Sequence, residues 1–282
     1  MRATRVAMSV RALWTASVAL TCVLIISLAS APANGTNPAP ELSARDMMEK
    51  NFFVSRIKSW KSEATMVLIN DKGQTRERKN TTFSVLQPNG IDSKLLVRFT
   101  KPADIQGTAF LQVEHIDGDD DQWIYLPALG KSRRLVANNK KDSFVGSDFS
   151  YGDLSQPKVD LFEHRLLGTQ TVDGHDCYMV ESVPKSDSMK SDLGYSRKTT
   201  WLRQDNFLET KVEYYDLSNR LLKTQLIGNH KLLEPATQRW VALHREMTNQ
   251  QTGHRTVLNF DNVESGIPIA DDLFTTRYLE RE

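Results

Sequence analysis

From Trp60 onward the sequence alternates apolar and polar residues with a period of two, and this alternation limits the fold more than any other feature of the chain. It recurs in ATMVLIN, TTFSVLQ, KLLVRFT, AFLQVEH, QWIYLPA, SRRLVAN, EHRLLGT, CYMVESV, TTWLRQD, TKVEYYD, LKTQLIG, WVALHRE and TVLNFDN. Such a period sends successive side chains to opposite faces of a strand. About a dozen strands joined by short turns predict a mainly β protein built on one large, curved antiparallel sheet. Turns are expected at Asp71 to Gly73, at Asp173-Gly174, at Ser218-Asn219 and in the run ending at Gly253. Asp-Gly is the strongest of these signals, because a tight hairpin needs positive φ angles.

Several strands are apolar on one face and mixed, rather than polar, on the other. Leu95, Val97 and Phe99 alternate with Leu96, Arg98 and Thr100, while Leu222, Thr224 and Leu226 alternate with Leu221, Lys223, Gln225 and Ile227. A sheet backed by water cannot leave that much apolar surface uncovered, so a helix or a ligand is expected over the second face. A helix is available. Leu42, Met48, Phe52, Phe53, Ile57 and Trp60 fall near a three-or-four spacing, which predicts one helix of about four turns covering the sheet.

Ahead of that helix, Arg2, Arg5 and Arg11 precede the apolar run ALWTASVALTCVLIISLASAPA, the build of a secretory signal peptide over residues 1–33 with an Ala-x-Ala site at Ala31 to Ala33. An uncleaved anchor is the alternative, since the run approaches the roughly 20 residues that span a bilayer. Cys22 lies inside the run behind Thr21, which argues against lipidation. Cleavage leaves a linker over residues 34–40 and a single domain over 41–282. The exported chain keeps Cys177 alone, so it has no internal disulfide, and the thiol is expected in the core. Loss of three arginines and no acids takes the 36 basic residues to 33, against 35 acidic ones. With no basic excess to neutralise phosphates, nucleic acid is not an expected partner.

Catalytic patterns are missing from the sequence. His115, His164, His175, His230, His244 and His254 are scattered singly without metal-ligand spacing, and no HExxH, GxSxG, GxxxxGK or CxxC occurs. No enzyme, catalytic residue, metal or cofactor is therefore expected. The run DGDDDQ could offer calcium hard oxygen ligands, but it reads as a solvated hairpin tip. Lys131, Arg133 and Arg134 could meet an anionic headgroup or an acidic partner, although a basic strand start more often guards a sheet edge. The aromatics point further. Trp123 and Tyr125 share one strand face, and Phe149 and Tyr151 stand two apart in GSDFSYGDL, so with Leu154 they are candidates for the mouth of an apolar, lipid-binding cavity. Gly146 and Gly152 would let that segment move, and Asp148 and Asp153 would fix its turns through backbone N–H groups.

A leader, one covering helix, about a dozen strands, WIYLPALGKSRRL (Trp123 to Leu135) and FVGSDFSYGDL (Phe144 to Leu154) together resemble the outer-membrane lipoprotein-sorting branch of the LolA/LolB-like superfamily. GIPIADDLFTTRYLER (Gly266 to Arg281) is similar to the C-terminal end of that branch. The resemblance implies an unclosed β-barrel lidded by helix, and a non-enzymatic periplasmic carrier that ferries a lipid or lipoprotein acyl chains towards the outer membrane. It also implies an RND/MMPL-type inner-membrane transporter as partner. No residue aligns with the charged lid positions of the lipoprotein carriers, so no particular cargo follows. A non-enzymatic adaptor module of an envelope transport complex, its concavity filled by its own side chains, is the alternative, and an exported hydrolase stands third.

Overall fold

A computed structural model describes residues 42–156 and 158–281; the expected signal peptide and linker lie outside them. Every alternating segment is a strand. The first six are β1 (Ser59–Ile69), β2 (Thr75–Leu86), β3 (Ser93–Lys101), β4 (Ala109–Val113), β5 (Asp121–Leu126) and β6 (Lys131–Leu135). The other seven are β7 (Phe162–Val172), β8 (His175–Pro184), β9 (Arg197–Arg203), β10 (Glu209–Tyr215), β11 (Leu221–Glu234), β12 (Arg239–Asn249) and β13 (Arg255–Ser265). They form one 13-stranded antiparallel sheet in the order β6-β5-β4-β3-β2-β1-β13-β12-β11-β10-β9-β8-β7. Each strand pairs with its chain neighbour except at two places: β1 pairs with β13, and β6 and β7 remain as the two edges, so the sheet does not close into a barrel.

The hairpin turns follow their residues. Asp173 and Gly174 take φ angles of 49° and 75°, the pair of positive values that an Asp-Gly hairpin requires. Asn219 at 60° and Gly253 at 73° turn the chain in the same region of backbone space.

Only part of the expected N-terminal helix forms. Helix α1 (Ala44–Val54) has 11 residues. Ser43 accepts from the Asp46 N–H while the Asp46 carboxylate accepts from the Ser43 N–H, a capping box that satisfies the first free donors. The periodic pattern runs on to Trp60, but Trp60 belongs to β1 and pairs with Ser84 and Ser265. Its ladder bonds to two strands outweigh another helical turn. Among the described residues there are two shorter α-helices, α2 (Asp187–Leu193) and α3 (Thr276–Leu279).

The two-faced apolar strands are explained locally. On β3, Phe99 and Val97 face the main core with Phe110 and Met66, whereas Leu96 faces outward into a second core with Leu111, Tyr125, Phe274 and Leu279. The C-terminal segment thus covers the convex face of β3 to β5. Arg98 donates to the carbonyls of Tyr278 (2.9 Å) and Leu279 (3.3 Å) at the end of α3, where free carbonyls attract a cation. The same pattern on β11 ends differently. Lys223, Gln225 and Ile227 are buried, and Leu226 on the other face stays 45% exposed. Cys177 is fully buried.

Candidate functional site

The concave face of the sheet is filled at one end and hollow at the other. What fills it is the segment between β6 and β7, which carries GSDFSYGDL. Phe144, Phe149 and Tyr151 turn inward and pack with Phe99 and Phe110, with ring centroids 5.6 to 5.8 Å apart among Phe99, Phe110, Phe144 and Tyr151. The segment's polar groups tie it to strands from both halves of the sheet. Asp148 accepts from Thr256 Oγ1 (2.6 Å) and from His254 Nδ1 (2.7 Å), and the Asp148 N–H donates back to Thr256 (3.0 Å). Asp153 accepts the Ser150 N–H at 2.7 Å and pairs with Lys223 on β11. Arg78 on β2 donates to the Val145 carbonyl.

The expectation that Asp153 fixes a local turn matches this geometry. Asp148 instead reaches β13, a long-range bond that a turn rule does not anticipate. Gly152 has a role other than looseness: its N–H donates to the Lys140 carbonyl at 2.7 Å, and a Cβ there would sit 3.1 Å from that same oxygen. Gly146, at φ 74°, adopts a conformation that other residues resist.

The hollow end is a cavity of about 290 Å³ under α1. Met48, Asn51 and Phe52 of the helix form its roof; Trp60, Leu95, Val97, Ala242, Leu258 and Phe260 form apolar walls; Phe149 and Leu154 of the inner segment close its floor. The roof is held by polar contacts rather than by its apolar side alone. Asn51 donates to the Phe207 carbonyl (3.0 Å), Arg239 donates to the Phe53 carbonyl, and Arg45 bridges to Asp160 (2.8 Å). Just past the helix, Arg56 and Glu114 form a buried ion pair at 2.5 Å, and Glu114 also accepts from the N–H (2.8 Å) and hydroxyl (2.9 Å) of Ser93. The rest of α1 packs Ala44, Met47 and Met48 onto Val180 and Leu202 of the concave face.

Polar groups interrupt the apolar lining. Asn80, Thr82 and Ser84 point in from β2. Lys198 (β9), Glu209 (β10) and Arg245 (β12) reach the cavity from the opposite half of the sheet. Burial pushes the Lys198 amine below the ordinary lysine range, against the pull of Glu209 and Asp153. It pushes the Tyr195 and Tyr214 hydroxyls above theirs, and these two rings meet edge to face at 5.3 Å. His164 is held neutral by burial, its ring spanning Ser182 Oγ and the Val159 carbonyl at 2.9 Å each.

The structure separates the residues that the sequence grouped. Phe149 and Leu154 line the cavity; Tyr151 is buried in the aromatic core beside Phe144 and Phe110; Trp123 and Tyr125 lie with the C-terminal segment in the convex-face core. Missing from the sequence reading are Asn51, Arg56, Lys198, Glu209 and Arg245. A signal for Lys198 existed: it is in phase with Thr200 and Leu202, which are fully buried. The signal for Arg245 is mixed, since it is in phase with buried Met247 but not with buried Ala242. Between them the β11–β12 ladder skips Asn229, whose φ is 52°, and the faces change there.

A family model described only as that of an uncharacterized protein matches residues 91–281. The crystal structure of an outer membrane lipoprotein-sorting protein domain from Vibrio parahaemolyticus is 31% identical and superposes with a TM-score of 0.76, over 84% of this chain and 98% of that one. The chain belongs to the outer-membrane lipoprotein-sorting protein family. A DUF1329 family protein from Desulfovibrio piger is equally similar to this lipoprotein-sorting family member, at 30% identity and a TM-score of 0.76 over 84% of this chain and 97% of the other. A LolA superfamily protein from Nitrosomonas europaea shares the fold at 20% identity, with a TM-score of 0.65 over 84% and 100%. No curated protein sequence matches the chain.

Proposed function

We propose that this protein binds a lipid, or the acyl chains of a lipoprotein, in the cavity beneath α1 and carries it through the periplasm towards the outer membrane. The observation that carries this reading is an apolar-walled hollow on the concave face of a lipoprotein-sorting fold, roofed by a helix and floored by Phe149 and Leu154. Each methylene that the walls shield from water is worth about 0.8 kcal/mol, so enclosure alone makes transfer through an aqueous compartment feasible. Phe149 and Leu154 touch the cargo, Tyr151 packs with Phe110 and Phe144 in the core beside them, and Trp123 and Tyr125 hold the convex face. An RND/MMPL-type transporter as the loading partner belongs to the same proposal, resting on the family resemblance.

The test is native mass spectrometry with lipid extraction, on protein purified without detergent from a periplasmic fraction. Wild type should carry a stoichiometric species of lipid mass that delipidation removes. The Phe149→Ser/Leu154→Ser variant should lose it and Trp123→Ser should retain it. A clean protein mass, with no uptake on incubation with envelope lipids, would overturn the carrier reading in favour of an adaptor module.

A further inference from the structure

The charges around the cavity do not balance. Glu114 cancels Arg56 and Asp153 cancels Lys223 through close ion pairs. Lys198 and Arg245 remain, with the carboxylate of Glu209 as the third unpaired charge on the wall. Among the described residues, neither cation has a hydrogen-bond acceptor or an ion-pair partner for its side chain, and Lys198 is only 6% exposed. Its ammonium lies 5.8 Å from the Phe162 ring centroid, a weak substitute for a counter-ion. Folded proteins seldom bury lysine unpaired, because water is lost and nothing replaces it.

Both cations act on one neighbourhood. Tyr214 is the cross-strand partner of Lys198, and the charge of Arg245 also acts on the Tyr214 hydroxyl. The volume is also informative. The cavity encloses about 290 Å³. A hollow of that size is far larger than a single water needs and has room for an extended hydrocarbon chain.

We infer that the cavity takes an amphiphile with an anionic headgroup, the carboxylate or phosphate resting on Lys198 with Arg245 as the second cation and the hydrocarbon lying along the apolar walls towards Phe149. The inference rests on the carrier reading above and deepens it by naming the cargo class. An anionic head supplies the missing charge: two cations against Glu209 leave one positive in excess, and a bound monoanion brings the wall to neutrality. Burial holds the Lys198 amine low when the cavity is unfilled. It then becomes an advantage, since a paired charge in a dry site interacts more strongly than one in water.

The test is calorimetric titration of the delipidated full-length chain with dodecanoate, with dodecan-1-ol and with inorganic phosphate. Wild type should bind dodecanoate about tenfold more tightly than the alcohol, the difference that one charge-assisted hydrogen bond supplies. Lys198→Met should lose about that factor for dodecanoate and none for the alcohol, and Arg245→Met should act in the same direction. Lys198→Gln is the second variant if the methionine version fails to fold. Equal binding of the two amphiphiles, or dodecanoate binding unchanged in both variants, would overturn the inference while leaving the carrier reading intact. Phosphate alone binding as tightly as dodecanoate would overturn it in favour of a free-anion site. Binding of neither amphiphile would instead remove the carrier reading on which it stands.

Discussion

His230 shows how the sheet's interior treats a titratable group. Burial, reinforced by the nearby positive charges of Arg245 and Arg203, lowers its pKa to about 4. In the unfolded chain the ring titrates near 6.5. Between those values the unfolded state binds a proton that the folded state refuses, so stability present above about 6.5 falls as the pH drops towards about 4. The ring is partly open to solvent, which reduces the contribution to about 1–2 kcal/mol. His230→Gln should therefore flatten the decline. The check is the difference in urea midpoint between neutral and mildly acidic buffer, compared with wild type; an unchanged slope would show that other groups dominate. His164, held neutral by the same cause, adds to the decline in both proteins.

Among the elements, α1 is the one whose attachment is built to be tested. Its exit is clamped by the Arg56–Glu114 pair, whose side chains are 5% and 7% exposed, with the guanidinium 4.0 Å from the Phe52 ring centroid. Removing one partner of such a pair strands the other, so Arg56→Met should cost about 3–5 kcal/mol in chemical denaturation. Arg56→Met combined with Glu114→Gln should recover most of that loss, because no unpaired charge is left behind. A double variant as unstable as the single would show that the packing of the arginine stem matters more than its charge. The clamp was not legible in advance: Arg56 and Glu114 are 58 residues apart, and nothing in the strand pattern of AFLQVEH indicates that its glutamate points inward to a helix end. The strands themselves were legible, because alternation needs only local chemistry and the turn residues that Asp173 and Gly174 exemplify. The helix was over-read for the reverse reason. Trp60 keeps the helical spacing, and only the pairing of β1 with two strands removes it from α1.

At the scale of the whole molecule, an open sheet has two edges to protect. Edge β6 carries Lys131, Arg133 and Arg134, all exposed, and its Ser132 N–H and hydroxyl are taken up by Glu280 at 2.8 and 2.7 Å. Charged side chains on an edge oppose pairing with another chain. Replacing the three basic residues with threonine should promote concentration-dependent association, read by light scattering; a variant that stays as dispersed as wild type would place the protection elsewhere. The candidate site divides in the same way between local and global information. Phe149 and Leu154 were identifiable because an irregular, aromatic, glycine-flanked loop stands out among strands. Trp123 and Tyr125 lay on a face that only the seating of Phe274 and Leu279 assigns to the convex side.

The pairing of β1 with β13 also governs how the molecule is made. Trp60 meets Ser265 and Ile69 meets Arg255, so the first strand finds its second neighbour only in the last one. Hairpins such as β7–β8 can form as soon as their own residues are available, since little chain entropy is lost in closing them. The seam joining the two halves of the sheet must close a loop that holds nearly all of the domain, and contacts of such long range slow folding. The concave face that bounds the cavity therefore depends on a seam of very long range, to which β13 contributes Leu258 and Phe260 of the wall.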